Sequence, residues 1–185
     1  MKILGISGSL RGGSHNTALL RAAAELLPAD AELELWDGLK AVPPYDEDDD
    51  VDPAPAAVAQ LREAIAGADA VLFATPEYNH SVPGQLKNAL DWASRPLASN
   101  PLRNKPVAVV GASMGAFGAV WAQAELRKVL AATGARIADG EVAVGHAHER
   151  FGPDGHLGDD LLREQFAEVV EGLLTVARAR ELVAA

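Results

Sequence analysis

The amino-acid sequence predicts one doubly wound α/β domain, in which helices cover both faces of a parallel β-sheet. Short apolar runs alternate along the chain with longer segments of helical periodicity, so that a β-α unit recurs five times. The runs AVLFAT and VAVVGA are almost wholly apolar, which is typical of strands buried on both faces. A length of 185 residues suits a single domain with a full core, so we assign residues 1–185 to one domain.

Each strand is predicted from an apolar run, and each helix from the apolar stripe that follows it. The predicted strands cover residues 2–7, 31–36, 70–75, 107–112 and 136–144. The predicted helices cover residues 16–27, 54–66, 84–93, 119–133 and 160–182. No internal repeat, low-complexity segment or linker interrupts this alternation in the sequence.

Residues that start or stop helices support several of these boundaries. Pro53 and Pro55 mark the start of the second helix, and the acidic run DEDDDVD before it is interpreted as a solvated loop. Gly134 is expected to end the fourth helix. Asp159 or Asp160 is expected to cap the last one.

The composition excludes several classes of function. The chain has 26 acidic and 16 basic side chains, a formal charge of -10, which argues against nucleic acid as its main partner. It has no cysteine, so disulfides, thiolate nucleophiles and cysteine-ligated metals are excluded, and any redox chemistry must come from a bound cofactor. We expect no metal in the site.

The N-terminus MKILGIS does not have the pattern of a signal peptide and no stretch is long enough to span a membrane, so we expect a cytoplasmic location.

Three loops are expected to form a ligand site. In a doubly wound sheet the ligand binds outside the carboxyl ends of the strands, near the point where the strand order reverses. The loops that follow strands 1, 3 and 4 read SGSLRGGSHN, TPEYNHSVPG and GASMGAFG. All three are rich in Gly, Pro, Ser or Asn, and we therefore expect them to meet at one edge of the sheet.

The first loop has the composition of a phosphate site. The loop leads into a helix whose first N–H groups are unpaired, and its serines and Arg11 add further hydrogen-bond donors. Gly12 and Gly13 permit the backbone to come close to a ligand. A phosphate monoester is the natural ligand. The loop matches neither the P-loop pattern nor the Rossmann G-x-G-x-x-G pattern. The alternative is that its Ser and Asn side chains only cap the helix and that Arg11 is a surface charge.

The second loop suits a flat heteroaromatic ring. Pro76 and Pro83 stiffen its two ends, Tyr78 offers an aromatic face, and Asn79 and the backbone amides offer hydrogen bonds. Glu77 is a candidate general base, although no second carboxylate is paired with it.

The third loop is defined by glycines at positions 111, 115 and 118, for which close backbone approach is the simplest physical reason. Ser113 lies among them. Its hydroxyl either donates a hydrogen bond to a ligand or caps the helix that follows, and the sequence does not decide between these two roles.

Taken together, the motifs GSLRGGSHN, PEYNHSVPGQLKNALDW and GASMGAFG resemble the NADPH-dependent FMN reductase family, which includes quinone, chromate and azo reductases. The resemblance covers nearly the whole chain. It implies a flavodoxin-like three-layer fold with a five-stranded parallel sheet in the order 2-1-3-4-5, and FMN bound without a covalent link. The resemblance implies three groups of FMN contacts. The phosphate would be bound by Ser9, Arg11, Ser14, His15 through its backbone, Asn16 and Thr17. The ribityl chain and ring would be lined by Pro76, Glu77, Tyr78 and Asn79, and the pyrimidine edge would be contacted by Ser113, Met114 and Gly115.

The resemblance implies an FMN-dependent NAD(P)H oxidoreductase. NADPH or NADH would supply electrons, and a flavin, quinone, azo dye or metal oxyanion would accept them in a ping-pong sequence. No side chain is identified as a catalytic acid or base, because the flavin carries the chemistry. Two alternatives remain, a flavodoxin-type electron carrier and a non-enzymatic FMN-binding module.

The resemblance also implies assembly as a homodimer or homotetramer, with flavin sites near the subunit boundary. The helix GQLKNALDWA carries Leu86, Leu90 and Trp92 beside polar residues, so we expect it to form a contact face between subunits. Many relatives carry a Gly-Gly pair and then an arginine in the region where this chain has Phe117 and Trp121.

Overall fold

The computed structural model describes residues 1–152 and 155–184. Its strands are β1 (Lys2–Ser7), β2 (Glu32–Trp36), β3 (Ala70–Thr75), β4 (Pro106–Ala112), β5 (Arg136–Ile137) and β6 (Ala143–Val144). Its α-helices are α1 (His15–Ala24), α2 (Ala56–Gly67), α3 (Gly84–Ala93), α4 (Val120–Ala132), α5 (Ala147–Arg150) and α6 (Asp160–Ala184). Short 3₁₀ helices cover Gly38–Ala41, Glu47–Asp49 and Leu97–Ser99.

The sheet has the order β2-β1-β3-β4-β5, and every pair of neighbouring strands is parallel. The flavodoxin-like order expected from the sequence is therefore confirmed. β3 and β4 are buried along their whole length, as their apolar sequences predict.

The fifth strand differs from its prediction, because residues 136–144 form two short strands instead of one. β5 pairs with the start of β4 and β6 with its end. Between them the Arg127 guanidinium, which comes from α4, donates hydrogen bonds to the carbonyls of Val109 (3.0 Å) and Gly140. The Val109 carbonyl is thus paired with a side chain where a continuous strand would have supplied an N–H group.

Two apolar layers lie on opposite faces of the sheet. One contains side chains from α1 and α6, and the other contains side chains from α2, α3 and α4. Leu86, Leu90 and Trp92 of α3 are buried in the second layer, with at most 3% of their surface exposed. The prediction that these three side chains form a contact face between subunits is therefore wrong, because they already pack inside their own chain.

Several helix ends agree with the sequence. The Asp159 Oδ1 accepts a hydrogen bond from the Leu162 N–H at 3.1 Å, so Asp159 caps α6. Gly134 follows α4 with a φ of 85°, a conformation that glycine adopts without strain. Pro55 occupies the N-cap position of α2.

Among the residues that the structure describes, no helix has both the length and the apolar character needed to cross a bilayer. The longest, α6, has 25 residues and carries charged side chains along much of its length. The cytoplasmic location expected from the sequence stays a prediction.

Lys105 is a buried cation at the amino end of β4. Its Nζ donates hydrogen bonds to the carbonyls of Ala66 and Ala68, which lie at the C-terminal end of α2. The pKa of the Lys105 ammonium is lowered from 10.5 to about 8, chiefly by burial and also by the positive charge of Arg180, while the negative charge of Asp69 partly opposes both effects.

We expect the free energy of unfolding to rise with pH from about 8 towards 10.5. Over this interval the unfolded chain retains the Lys105 proton while the folded chain has released it, so the unfolded state binds more protons. Urea unfolding at several pH values measures the rise, and the substitution Lys105→Met should remove it. A flat profile for the unsubstituted protein would show that the folded ammonium keeps its ordinary pKa.

Candidate functional site

The carboxyl ends of β1, β3 and β4 lie side by side. Parallel pairing sets Ser7 beside Ala74 and Thr75 beside Gly111. The three loops that leave these ends therefore meet, as the sequence predicts, and they enclose an open cleft of about 320 Å³. The cleft is lined by Ser9, Arg11, Ser14, His15, Asn16, Pro76, Glu77, Tyr78, Ala112, Ser113 and Met114.

The first loop ends in the N-terminus of α1. Ser14 is the N-cap residue, and its Oγ accepts a hydrogen bond from the Thr17 N–H at 3.2 Å. The N–H groups of His15 and Asn16, in the first turn, have no acceptor within the helix. Because the N-terminal end of a helix carries partial positive charge, this end of the cleft favours an anion.

Arg11 lines the same part of the cleft from an exposed position in the loop. Its Nη2 donates a hydrogen bond to the Gly13 carbonyl at 2.8 Å. An arginine has five N–H donors, so this contact orients the guanidinium and leaves most of its donors available to a ligand.

The Asn16 side chain is used by the fold. Its Nδ2 donates to the Ala112 carbonyl and its Oδ1 accepts from the Ala112 N–H, both at 2.9 Å. This reciprocal pair joins the first turn of α1 to the end of β4, and only 3% of Asn16 is exposed. The group that Asn16 can offer to a ligand is therefore its backbone N–H.

The His15 ring packs on a segment far along the chain. It stacks on the Phe151 ring with centroids 5.9 Å apart, a contact that the sequence did not predict. Burial lowers the pKa of the His15 imidazole below 6.5, and the positive charges of Arg11 and His148 lower it further. Both effects favour the neutral form of the ring, so we assign the positive charge at this end of the cleft to Arg11 and the helix N-terminus.

The second loop forms a tight hairpin. Tyr78 and Ser81 exchange backbone hydrogen bonds of 3.2 and 3.1 Å, and the two residues between them, Asn79 and His80, have φ values of 52° and 58°. Two central residues with positive φ define a type I′ turn. Tyr78 lines the cleft, whereas Asn79 lies at the tip of the turn and is absent from the cleft lining.

Glu77 connects this loop to α4. Its Oε2 accepts hydrogen bonds from the N–H groups of Trp121 and Ala122, each at 3.1 Å. Its Oε1 lies 3.4 Å from the Nδ1 of His80. With both oxygens engaged in this way, the geometry does not support the role of general base that the sequence left open for Glu77.

The third loop passes close to neighbouring backbone. At Gly118, which has a φ of 57°, a Cβ atom would lie 2.2 Å from the carbonyl carbon of Ala143, and at Gly111 it would lie 3.0 Å from the Cβ of Ala119. Close approach is thus the reason for glycine at both positions, whereas Gly115 has more room. The Ser113 Oγ accepts from the Gly115 N–H at 3.0 Å and does not cap α4.

Ten of the thirteen residues predicted from the sequence line the cleft, and Thr17, Asn79 and Gly115 do not. Thr17 contributes instead through the backbone bond to Ser14. Ala112 lines the cleft without having been predicted, because an alanine at the end of an apolar strand carries no chemical signal. The sequence also gives no sign that the N–H groups of Trp121 and Ala122 donate hydrogen bonds to Glu77.

The fold and the site together define a class of protein. The order 2-1-3-4-5, with a cleft at the carboxyl ends of the strands and an anion-binding helix N-terminus, is that of flavodoxin-like α/β proteins. The Arg11 guanidinium, the Ser9 hydroxyl and the N–H groups at the start of α1 are hydrogen-bond donors of the kind that bind phosphate groups. The rest of the cleft lies between the second and third loops.

The chain belongs to the NADPH-dependent FMN reductase family, whose model matches residues 1–149. This membership confirms the resemblance drawn from the three loop motifs. It also confirms that the protein is an enzyme with FMN as cofactor and NAD(P)H as electron donor, and it disfavours the electron carrier and the non-enzymatic module.

Individual relatives agree with the family. An NAD(P)H-dependent FMN reductase of Pseudomonas aeruginosa is 46% identical over 182 residues, 97% of each chain. A 2-hydroxy-1,4-benzoquinone reductase of a Burkholderia species is 45% identical over 131 residues, which cover 71% of this chain and 70% of the relative. Among solved structures, the flavoenzyme NAD(P)H:(acceptor) oxidoreductase FerB of Paracoccus denitrificans is 33% identical, with a TM-score of 0.84 over 96% of this chain and 97% of that one.

We expect Asn16→Ala to destabilise the cofactor-free protein by about 2–4 kcal/mol, because it leaves the buried N–H and carbonyl of Ala112 without partners. Urea unfolding measures the loss. Thr17→Ala, one position along the same helix turn, removes a side chain that makes no such pair and is the matched control. An unfolding midpoint for Asn16→Ala equal to that of the control would contradict the assignment.

Proposed function

We propose that residues 1–185 form one FMN-binding domain that transfers electrons from NAD(P)H to quinones in a ping-pong sequence. The observation that carries the proposal is the cleft itself, with its cationic and N–H-rich end at α1 and its open walls at loops 2 and 3. Relatives whose names identify them as quinone reductases support this choice of acceptor.

The first loop would bind the FMN phosphate. Arg11 is oriented by the Gly13 carbonyl, and the N–H groups of His15 and Asn16 lie at the positive end of α1. Ser9 adds a hydroxyl from the same loop. These groups bind and orient the cofactor, and the chain contains no cysteine that could carry electrons in its place.

The second and third loops would hold the ring. Pro76 and Tyr78 line one wall of the cleft, and Ser113 and Met114 line the other. FMN bound there supplies hydride acceptance and electron delivery, which no side chain of this protein provides. The protein contributes the position of the ring, the hydrogen bonds to it and the access of donor and acceptor.

Arg11→Ala should weaken FMN binding by about tenfold or more, since a hydrogen bond to a charged group contributes about 1.5–3 kcal/mol. Riboflavin lacks the phosphate, so its affinity should change far less. Fluorescence titration of the cofactor-free protein with each ligand measures both constants. Equal weakening of the two ligands would mean that the phosphate binds elsewhere.

The kinetic sequence follows from the number of sites. We infer one position for a phosphorylated cofactor, at the α1 end of the cleft, and the outer side of the cleft is open, with Tyr78 and Met114 exposed at the rim. Donor and acceptor would approach through this one opening, so the nicotinamide must leave before the acceptor enters. Such a site makes few contacts specific to one quinone, and discrimination among quinones should be weak.

Double-reciprocal plots of rate against NAD(P)H concentration, at several fixed quinone concentrations, should therefore be parallel. A non-aromatic acceptor such as ferricyanide serves as a control, since it should give the same pattern. Lines that intersect would indicate a ternary complex, and the single shared opening would then be the wrong description of the site.

Assembly as a homodimer or homotetramer is supported by the surface beside the cleft. Phe117 and Trp121 are 64% and 41% exposed, and their ring centroids are 5.0 Å apart. Exposed aromatic side chains in contact with each other are typical of surfaces that associate. We propose that this surface takes the role that the sequence had assigned to α3.

Light scattering at micromolar concentration should give a mass of at least twice the 19.3 kDa of one chain. The pair of substitutions Phe117→Ser and Trp121→Ser should reduce it, because they remove the exposed apolar area. Lys128→Ser, an exposed change on the same helix, is the control. A mass of one chain for the unsubstituted protein would contradict the assembly.

A further inference from the structure

We infer that Glu77 is a positioning residue, which holds the two walls of the cleft at a set separation by capping α4 from outside the helix. The inference rests on the proposed function, because the cleft that it shapes is the proposed FMN site. It assigns to Glu77 a role that is separate from direct contact with the cofactor.

The first turn of α4 lacks a cap from its own segment. Its N-cap residue is Ala119, which has a φ of 64° and no side-chain acceptor. Ser113, for which capping this helix was one of the two roles left open by the sequence, accepts instead from the Gly115 N–H within the third loop. The N–H groups of Trp121 and Ala122 would therefore be unpaired if the Glu77 carboxylate were removed.

The capping carboxylate comes from the opposite wall of the cleft. Glu77 lies in the second loop, just after the end of β3 and 44 residues before Trp121. Its side chain is only 13% exposed. The negative charge lies at the positive end of the α4 dipole, which strengthens the contact. One side chain thereby joins the second loop to the helix that the third loop enters.

The other carboxylate oxygen secures the hairpin that carries Tyr78. Glu77 Oε1 lies 3.4 Å from the His80 Nδ1, and the His80 ring packs edge-on against Trp121 with centroids 4.7 Å apart. His80 has a φ of 58°, a conformation that a histidine adopts at a cost. Contacts with Glu77 and Trp121 offset that cost and hold the turn in its observed geometry.

The physical consequence is preorganisation. Without the cap, the start of α4 frays and the two walls are no longer tied, so FMN must order them when it binds. The loss of affinity then comes from the cost of ordering, and it requires no direct contact between Glu77 and the cofactor. The amide oxygen of a glutamine at this position can still accept both hydrogen bonds. Glu77→Gln therefore distinguishes the effect of the hydrogen bonds from the effect of the negative charge.

The test compares substitutions of two residues that form hydrogen bonds with opposite ends of α4, Glu77 at its start and Asn100 just after its end. Glu77→Ala removes the cap, Glu77→Gln keeps an acceptor of the same length, and Glu77→Asp keeps the charge on a side chain one methylene shorter. Asn100→Ala is the matched control, because Asn100 donates to the Thr133 carbonyl at the far end of α4 and is 8% exposed. Two quantities are measured, FMN affinity by fluorescence titration and hydrogen exchange at the amides of Trp121 and Ala122 in the cofactor-free protein.

We expect Glu77→Ala to weaken FMN binding by about tenfold and to speed exchange at both amides. Glu77→Gln should restore slow exchange and most of the affinity, and Asn100→Ala should lower stability without changing FMN affinity. Glu77→Asp should resemble Glu77→Ala, with weaker FMN binding and faster amide exchange, because its side chain is too short to reach α4. It replaces Glu77→Ala in the comparison if the alanine variant does not fold.

Three results would overturn the inference: wild-type affinity in Glu77→Ala, the same loss in Glu77→Gln as in Glu77→Ala, or an equal loss in Asn100→Ala. Failure of the unsubstituted protein to bind FMN would instead contradict the proposed function. The exchange measurement on the cofactor-free protein would still decide whether Glu77 caps α4.

Discussion

The parallel pairing of β1, β3 and β4 is the constraint on which the site depends. Because Ser7 lies beside Ala74 and Thr75 beside Gly111, the three strands end at nearly the same level and their loops leave from one edge. These strands are almost wholly apolar and buried, so a shift of register would expose apolar side chains and break the backbone ladder. The cleft is the space that the ends of this ladder leave between the loops.

Polar side chains then join the loops to one another. Asn16 ties the start of α1 to the end of β4, and Glu77 ties the second loop to the start of α4. Both residues belong to motifs that resemble a cofactor-binding sequence, yet their side chains pair with protein backbone. The reason is that the Ala112 groups lie where β4 ends and the Trp121 and Ala122 N–H groups lie in the first turn of α4, so these backbone groups need partners from outside their own element.

The electrostatics of the cleft contrast with those of the whole chain. The formal charge is -10, but the phosphate end of the cleft is formed by Arg11 and the start of α1. His15, between them, has its pKa lowered by burial and by the charge of Arg11, which favours the neutral form of its ring. A local donor set within an acidic protein favours a small phosphorylated ligand over a long polyanion, since the net negative charge of the whole chain disfavours a polyanion.

Periodicity and loop composition in the sequence by themselves determined the doubly wound α/β class, most helix boundaries and the three loops that meet, whereas the strand order was implied by the family resemblance. These features depend on local burial, which each segment records in its own pattern of apolar residues. Only the tertiary structure decided three features: the split of the fifth strand beside the Arg127 side chain, the burial of Leu86 and Trp92, and the pairing of Asn16 with Ala112. Asn16 and Ala112 are 96 residues apart, and Glu77 and Trp121 are 44 apart. A side chain's hydrogen-bonding capacity is visible in the sequence, but its partner depends on which distant backbone groups the packed sheet leaves unpaired beside it.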